Sequence, residues 1–183
     1  VQLANQAIYD VNQQNARSGS GRMGTTMVVL LIQGTEAAVA HVGDSRLYRY
    51  SRKGGLKQLT IDHEVGQREI QRGIEATIAY SRPDAYQLTQ ALGPRDENFI
   101  SPDVQFFELN EDMVLILASD GLTDNDLLET HCATHIEPLI SSMTNLEQGV
   151  NQLIELANQY NGHDNITAIA IRAKVRPNLE QLW

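Results

Sequence analysis

Three aspartates sit where a chain most readily presents a carboxylate to a ligand, at the junction of an apolar run and a polar turn. The run Val114-Leu115-Ile116-Leu117-Ala118 ends on Ser119-Asp120-Gly121, and a short apolar run closed by a turn signal reads as a buried strand. Asp120 then leaves the core where the backbone turns, and Gly121 beside it removes side-chain bulk from a ligand's approach. Val39-Ala40-His41-Val42 leads in the same way into Gly43-Asp44-Ser45-Arg46, and Gly162-His163-Asp164-Asn165 precedes the apolar run from Ile166 to Ile171. Three acids at strand ends suggest one hard-metal site. Carboxylates completed by water suit Mg²⁺ or Mn²⁺, whereas Zn²⁺ draws on His and Cys. Asp120 and Asp164 are the expected ligands of a catalytic ion. Asp44 has two readings, a metal ligand or a turn former that accepts backbone hydrogen bonds.

Neighbouring polar residues read as structural. Asp62 and His63 are adjacent on an extended chain and point apart, which argues against an acid-base pair. Arg46 is expected in an ion pair, His163 in a loop, and Asn165 in orienting the turn around Asp164. Asp124 reads as a cap or turn former, and Cys132 as a small buried side chain on a helix.

The elements that must hold these residues follow from periodicity. Leu3, Ala7, Ile8 and Val11 predict an amphipathic helix over residues 2–15, with those apolar positions as its inner face. Ser18-Gly19-Ser20-Gly21 reads as a flexible loop. The β-branched run from Thr25 to Ile32 and the stretch Ala37 to Val42 form a predicted hairpin turned at Gly34-Thr35. Leu47 to Tyr50 and Leu56 to Leu59, joined by Arg52-Lys53-Gly54-Gly55, complete a predicted four-strand meander. Val65 to Gly73 suits a short helix with a glycine stop, and Ile74 to Gln87 reads as a loop-rich insertion. Val104 to Leu109 is predicted to pair with the Asp120 strand as a second hairpin. Leu146, Val150, Leu153, Ile154 and Ala157 mark a longer helix, and Ile166 to Ile171 a final strand. Antiparallel strands punctuated by helices give an α+β class, in which helices cover two packed sheets. One domain is expected over residues 1–175, with an apolar-tipped tail at 176–183 carrying Leu179, Leu182 and Trp183.

Composition narrows the function. A chain of 183 residues with 42% hydrophobic content supports one core. A net charge of −9 disfavours a nucleic-acid surface. The lone Cys132 forms no internal disulfide, which points to a cytoplasmic protein. No apolar stretch approaches the roughly 20 residues that span a bilayer, so no membrane partner is expected.

Six short motifs occur in one order: Met23-Gly24-Thr25-Thr26, Gly43-Asp44-Ser45-Arg46, Leu59-Thr60-Ile61-Asp62-His63, Gln90-Ala91-Leu92-Gly93, Ser119-Asp120-Gly121-Leu122-Thr123-Asp124 and Gly162-His163-Asp164-Asn165. In that order the chain resembles the type 2C metal-dependent serine/threonine protein phosphatases, the PPM family, in their bacterial form. The resemblance implies an antiparallel β-sandwich flanked by helices, and hydrolysis of phosphoserine or phosphothreonine in proteins by a metal-activated water. It implies two or three Mn²⁺ or Mg²⁺ ions in the complete domain, with Asp120 and Asp164 as ligands and Asp44 helping to hold a third ion. It also makes Ile74 to Gln87 the flap beside the active site.

In that family an acidic motif and an Asp-Gly motif open the catalytic domain, and neither is present in these residues. The N-terminal strands are therefore expected to be missing, leaving sheet edges through which a homodimer forms. The same departure keeps open a pseudophosphatase acting as a protein-binding module, and a metal-sensing or structural domain.

Overall fold

The computed structural model describes residues 1–15, 21–162 and 164–176. The expected loop at Ser18-Gly19-Ser20, the residue His163 and the tail from Pro177 to Trp183 lie outside the described residues. In chain order the elements are α1 (Gln2–Gln14), β1 (Met27–Gln33), β2 (Glu36–Val42), β3 (Arg46–Ser51), β4 (Gly55–Gln58), α2 (Val65–Gln71) and α3 (Ala76–Tyr80). Then come β5 (Asp103–Glu108), β6 (Met113–Ala118), α4 (Asp120–Thr123), α5 (Leu127–Thr130), α6 (Leu146–Tyr160) and β7 (Ala168–Ala173). The strands form a three-stranded sheet in the order β1-β2-β5 and a four-stranded sheet in the order β4-β3-β6-β7. The pairs β3–β4 and β6–β7 are antiparallel, which with the helices gives the α+β class. No helix among the described residues is long and apolar enough to cross a membrane.

β1 and β2 adjoin as the predicted hairpin requires, but the four-strand meander and the second hairpin need correction at the level of the sheets. The meander is divided: β1 and β2 belong to one sheet, β3 and β4 to the other. The division falls at Gly43, whose φ of +105° lets the chain leave β2 at an angle an L side chain resists. A Cβ there would lie 2.3 Å from Thr26 Cγ2, so Gly43 is also required for close approach. Nor do β5 and β6 form a hairpin, since β5 adjoins β2 while β6 lies between β3 and β7. The Leu109 N–H donates to the Thr35 carbonyl (2.7 Å), which holds the end of β5 to its own sheet. Asp112, just before β6, takes the Lys174 ammonium at 2.8 Å and the Val175 N–H at 3.0 Å, tying it to the end of β7. The insertion read as loop-rich contains the short helix α3. Cys132 opens a single π-helical turn, Cys132–Ile136, and is half-buried.

The chain divides into two compact units, one of Val1–Leu30, Val39–Arg46 and Thr60–Gln105, the other of Leu31–Ala38, Leu47–Leu59 and Phe106–Trp183. The second is organised on β6, whose six residues are all buried. Val114, Ile116 and Ala118 alternate onto one face, where they join Tyr48, Tyr50, Leu122, Leu128, Ile136, Leu139, Leu153 and Ala157 in one cluster. Each fully buried aliphatic or aromatic side chain of this kind contributes roughly 1.5–3 kcal/mol. Helix α6 starts on an Asn145 cap that accepts the Gln148 N–H at 3.1 Å, and it turns Leu153, Leu156 and Ala157 inward.

In the first unit α1 departs from its predicted face. Leu3 is 89% exposed, and Val11 is exposed as well, whereas Asn5 and Asn12 are the buried residues of the helix. Both asparagines satisfy backbone groups. Asn12 Nδ2 donates to the carbonyls of Met23 (2.8 Å) and Gly93 (3.0 Å), and its Oδ1 accepts the Met23 N–H at 2.7 Å. Asn5 accepts the Gly93 N–H at 2.7 Å and donates to the Arg95 carbonyl at 3.1 Å. Gly93, at φ +98°, has no room for a side chain, since a Cβ would stand 2.2 Å from Ile8 Cγ2. The helix is thus held by polar satisfaction of a turn where apolar burial had been expected. Removing the Asn12 amide strands one buried donor and two acceptors, so Asn12→Ala should lower unfolding stability by about 2–3 kcal/mol in a urea titration. A change under about 0.5 kcal/mol would show that water replaces these bonds freely.

Candidate metal centre

The four-stranded sheet places two of the three expected ligands at one end of the β6–β7 pair. Ala118, the last residue of β6, is registered opposite Ala168, the first of β7. Beyond that pair Ser119 clasps the incoming chain. Its N–H donates to the Thr167 carbonyl (3.1 Å), its Oγ accepts the Thr167 N–H (3.0 Å), and the same Oγ donates to the Asn165 carbonyl (3.3 Å). Asp120 follows directly and opens α4. Asp164 precedes the clasped residues, so the two carboxylate-bearing turns are brought together by one serine.

Each carboxylate commits one oxygen locally. Asp120 Oδ1 accepts the Gly121 N–H at 2.8 Å, and Asp164 Oδ1 accepts the Asn165 N–H at 2.6 Å. The Oδ2 atoms have no hydrogen-bond partner among the described residues. Asp120 is half-buried and Asp164 exposed. Gly121 permits the approach, because a Cβ there would lie 2.5 Å from the Asn165 carbonyl oxygen. These oxygen donors fit a hard divalent cation.

The turn after α4 is strained and braced. Asn125 and Asp126 both adopt left-handed backbone, at φ 59° and 53°, a region Asn and Asp tolerate better than other non-glycine residues. The fully buried Asn161 at the end of α6 holds this turn. Its Oδ1 accepts Asn125 Nδ2 at 2.9 Å and its Nδ2 donates to the Asp124 carbonyl at 3.0 Å.

Asp44 belongs to the first unit, in the bend between β2 and β3, and is half-buried. The bend is fixed on both sides. Thr26 Oγ1 and Ser45 Oγ share a hydrogen bond of 2.8 Å, and Arg46 donates from Nε (2.9 Å) and pairs through Nη2 (2.7 Å) with Asp62 Oδ2. Asp62 and His63 do serve different partners, for His63 Nδ1 accepts the Gly43 N–H at 3.1 Å.

A cluster not singled out in the sequence lies in the same unit. His41, His63 and Asp103 bring one potential ligand atom each within 4.8 Å of the others. The hydrogen bonds decide against a divalent ion. Because His63 Nδ1 accepts from Gly43, the ring's proton sits on Nε2, which faces Asp103 Oδ2 at 3.5 Å. His41 Nε2 meets the Ile61 carbonyl at 2.8 Å and must carry the proton there. His63 therefore offers a cation either an occupied nitrogen or an N–H. The two rings stack, with centroids 4.7 Å apart and planes at 25°. Burial, and then the neighbouring His41, hold His63 below the usual imidazole pKa, which keeps it neutral.

Glu64 is the second feature that escaped notice. It caps α2, is 6% exposed, and accepts the Tyr80 hydroxyl at 3.1 Å. The Tyr80 ring lies close against Gly66, where a Cβ would stand 2.9 Å from Cε1. Burial pushes the Glu64 carboxyl up to about 6; the Tyr80 hydrogen bond and Arg46 oppose the rise, and Asp62 and Asp44 add to it. Burial also pushes the Tyr80 phenol well above its ordinary value. An Ile-Asp-His-Glu string carries no pattern that separates a surface acid from a buried one.

Comparison with known proteins identifies the family to which this antiparallel α+β chain, with its two acidic turns at one strand end, belongs. The sequence matches the Protein phosphatase 2C family model over residues 2–166, and the chain belongs to that family. It is 33% identical over 172 residues to protein phosphatase PhpP of Streptococcus pneumoniae, covering 93% of this chain and 65% of that protein. The chain thus spans slightly less than two thirds of the length of the curated relatives it matches. Among solved structures, the Streptococcus agalactiae serine/threonine phosphatase superposes with a TM-score of 0.76 at 30% identity, covering 95% of this chain and 67% of that one. The catalytic domain of the serine/threonine phosphatase PstP, solved with two manganese ions, gives a TM-score of 0.66 at 26% identity and covers 93% and 67%.

The raised Glu64 pKa carries a sign that can be measured. An unfolded glutamate ionises near 4.5 and the folded one near 6, so the folded state holds a proton across that interval that the unfolded state has lost. The group's contribution is most favourable below pH 4.5 and is lost as pH rises through 6. Glu64→Gln keeps the Tyr80 hydrogen bond without the buried charge. It should raise unfolding stability by about 1–2 kcal/mol at pH 8 and leave it unchanged at pH 4. Urea titrations at the two pH values read this directly, and a loss of stability at pH 8 would contradict the burial assignment.

Proposed function

We propose that the protein to which this chain belongs is a Mn²⁺- or Mg²⁺-dependent phosphatase of phosphoserine and phosphothreonine in proteins. The carrying observation is the Ser119 clasp, which joins the turns that bear Asp120 and Asp164, each with one carboxylate oxygen uncommitted among the described residues. Family membership and the relatives named serine/threonine phosphatases support the reading, and the manganese in the PstP structure supports the choice of ion. Asp120 and Asp164 hold the cation and Asp44 helps to hold a further one. When bound, such ions neutralise charge on phosphate oxygens and lower the pKa of water to the neutral range.

The chain's own residues supply position. Ser119 fixes the separation of the two acidic turns, Gly121 keeps their backbones in contact, and Asn161 stops the strained Asn125–Asp126 turn from drawing Asp120 away. The Arg46–Asp62 pair holds the backbone beside Asp44.

The proposed phosphatase also associates with itself. On the three-stranded sheet Leu31 (68% exposed) and Phe106 (78%), with Ile32 and Phe107, line a groove of about 680 Å³ whose floor includes Ala37 and Ala38. A patch of that character on outer strands favours pairing between copies.

Two measurements follow. Manganese-dependent hydrolysis of a phosphothreonine peptide should fall at least ~100-fold in Asp120→Ala, and calorimetry should show weakened Mn²⁺ binding by the same variant with its circular dichroism unchanged. Retained Mn²⁺ affinity in that variant would remove Asp120 from the ligand set. Light scattering behind size-exclusion chromatography should give a mass that rises with concentration and returns to the monomer in Phe106→Ser, whereas a concentration-independent monomer in the unsubstituted chain would refute association.

A further inference from the structure

The β3–β4 hairpin concentrates positive charge in an acidic protein. Four of the chain's 14 lysines and arginines, Arg49, Arg52, Lys53 and Lys57, fall between residues 49 and 57 with no acid among them, against a net charge of −9. Their arrangement is not a solvated scatter. Arg49 and Lys57 are registered directly opposite each other across the two strands, while the next pair, Tyr50 and Leu56, turns toward the core. Alternation therefore puts Arg49 and Lys57 together on the other face. Like charges so placed repel. The turn holds the other two at the tip, where Ser51 Oγ accepts the Gly54 N–H at 3.0 Å and Gly55 takes φ +65°. Among the described residues, Arg49, Lys53 and Lys57 have no ion pair. Arg52 feels Asp112, whose carboxylate is already engaged by Lys174 and the Val175 N–H.

The same hairpin ends its sheet. In the order β4-β3-β6-β7, β4 has a strand on one side alone among the described residues, and Gly55 and Lys57 on it are exposed. Lysine on an edge strand ordinarily deters pairing with another copy. That deterrent is selective, because it repels a strand of like charge and attracts an acidic one.

We propose that the outer edge of β4 is a docking site for an extended acidic segment of a partner protein, which adds as a fifth strand and places its carboxylates against Arg49, Lys53 and Lys57. A nucleic acid or an anionic bilayer offers charge but no backbone to pair with β4, so a peptide uses both features of this edge. The site is independent of the phosphatase reading, since it uses none of the acidic turns.

The test is fluorescence anisotropy with a labelled peptide of about ten residues alternating glutamate and valine, long enough to cross the roughly 13 Å of a four-residue strand. The unsubstituted chain should bind it, more weakly as salt is raised. The triple variant R49S/K53S/K57S should lose roughly tenfold in affinity or more, while K53R/K57R keeps it. A peptide of the same sequence carrying N-methyl groups on alternate backbone nitrogens should bind less well than its parent. Equal binding by the triple-serine variant, or by the N-methylated peptide, would overturn the proposal, as would tighter binding of duplex DNA or phosphatidylserine vesicles than of the peptide. Circular dichroism of each variant confirms that the hairpin changes leave the fold intact.

Discussion

A strand of six apolar residues with no polar side chain cannot face water on either side, and β6 is that strand. Its burial forces β3 and β7 to flank it, and forces helices α4, α5 and α6 with their connecting turns to supply the cover on the Val114–Ile116–Ala118 face. Because the apolar run stops abruptly at Ala118, the first polar residue after it must meet its needs within a turn of the sheet's end. Ser119 does so by hydrogen-bonding the chain that enters β7. The position of the two aspartates is thus a consequence of where the core ends, and Asp120 and Asp164 inherit the rigidity of the most buried strand in the unit.

The first unit obeys a different rule. Buried polar side chains there are placed to satisfy backbone groups that the turns leave unpaired: Asn5 and Asn12 serve the Gly93 turn, and His63 serves Gly43. Such networks specify geometry more sharply than apolar contact does, because a displaced partner leaves an unsatisfied buried group. Glu64 is the exception that carries a penalty, a carboxyl near Asp62 and Asp44 with Arg46 the opposing cation. Its Tyr80 partner ties the insertion after α2 back to the start of that helix, so the penalty accompanies a connection between two segments distant in sequence.

What could be read from the sequence reflects these two rules. The β6 run, the acidic turns around Asp120 and Asp164, and helices near 2–14 and 146–160 were legible because they rest on local periodicity and on Gly and Asp at strand ends. The partition of strands between sheets was not, since a Gly43-Asp44 or Asn110-Glu111-Asp112 turn signals a change of direction without saying which sheet receives the next strand. The inner face of α1 was misread for a related reason. A hydrophobic pattern ranks Leu3 and Val11 above Asn5 and Asn12, and the advantage of burying an amide exists only once a distant turn presents its carbonyls. The His41–His63 stack joins residues twenty-two apart, and no spacing rule selects it.

Glycine placement links the two kinds of order. At Gly43 and Gly93 the backbone is left-handed and a side chain would collide with Thr26 or Ile8, so conformation and packing both demand glycine. At Gly121 the backbone is ordinary helix, and the demand comes from the Asn165 carbonyl 2.5 Å from where a Cβ would sit. Strain therefore cannot account for Gly121, whereas contact between two acidic turns does. A serine clasp with any larger residue at position 121 would hold those turns farther apart, and carboxylates must share a cation at fixed oxygen distances of roughly 2.0–2.6 Å. The glycine is needed because the turns must touch, and the ligand geometry gives them a reason to.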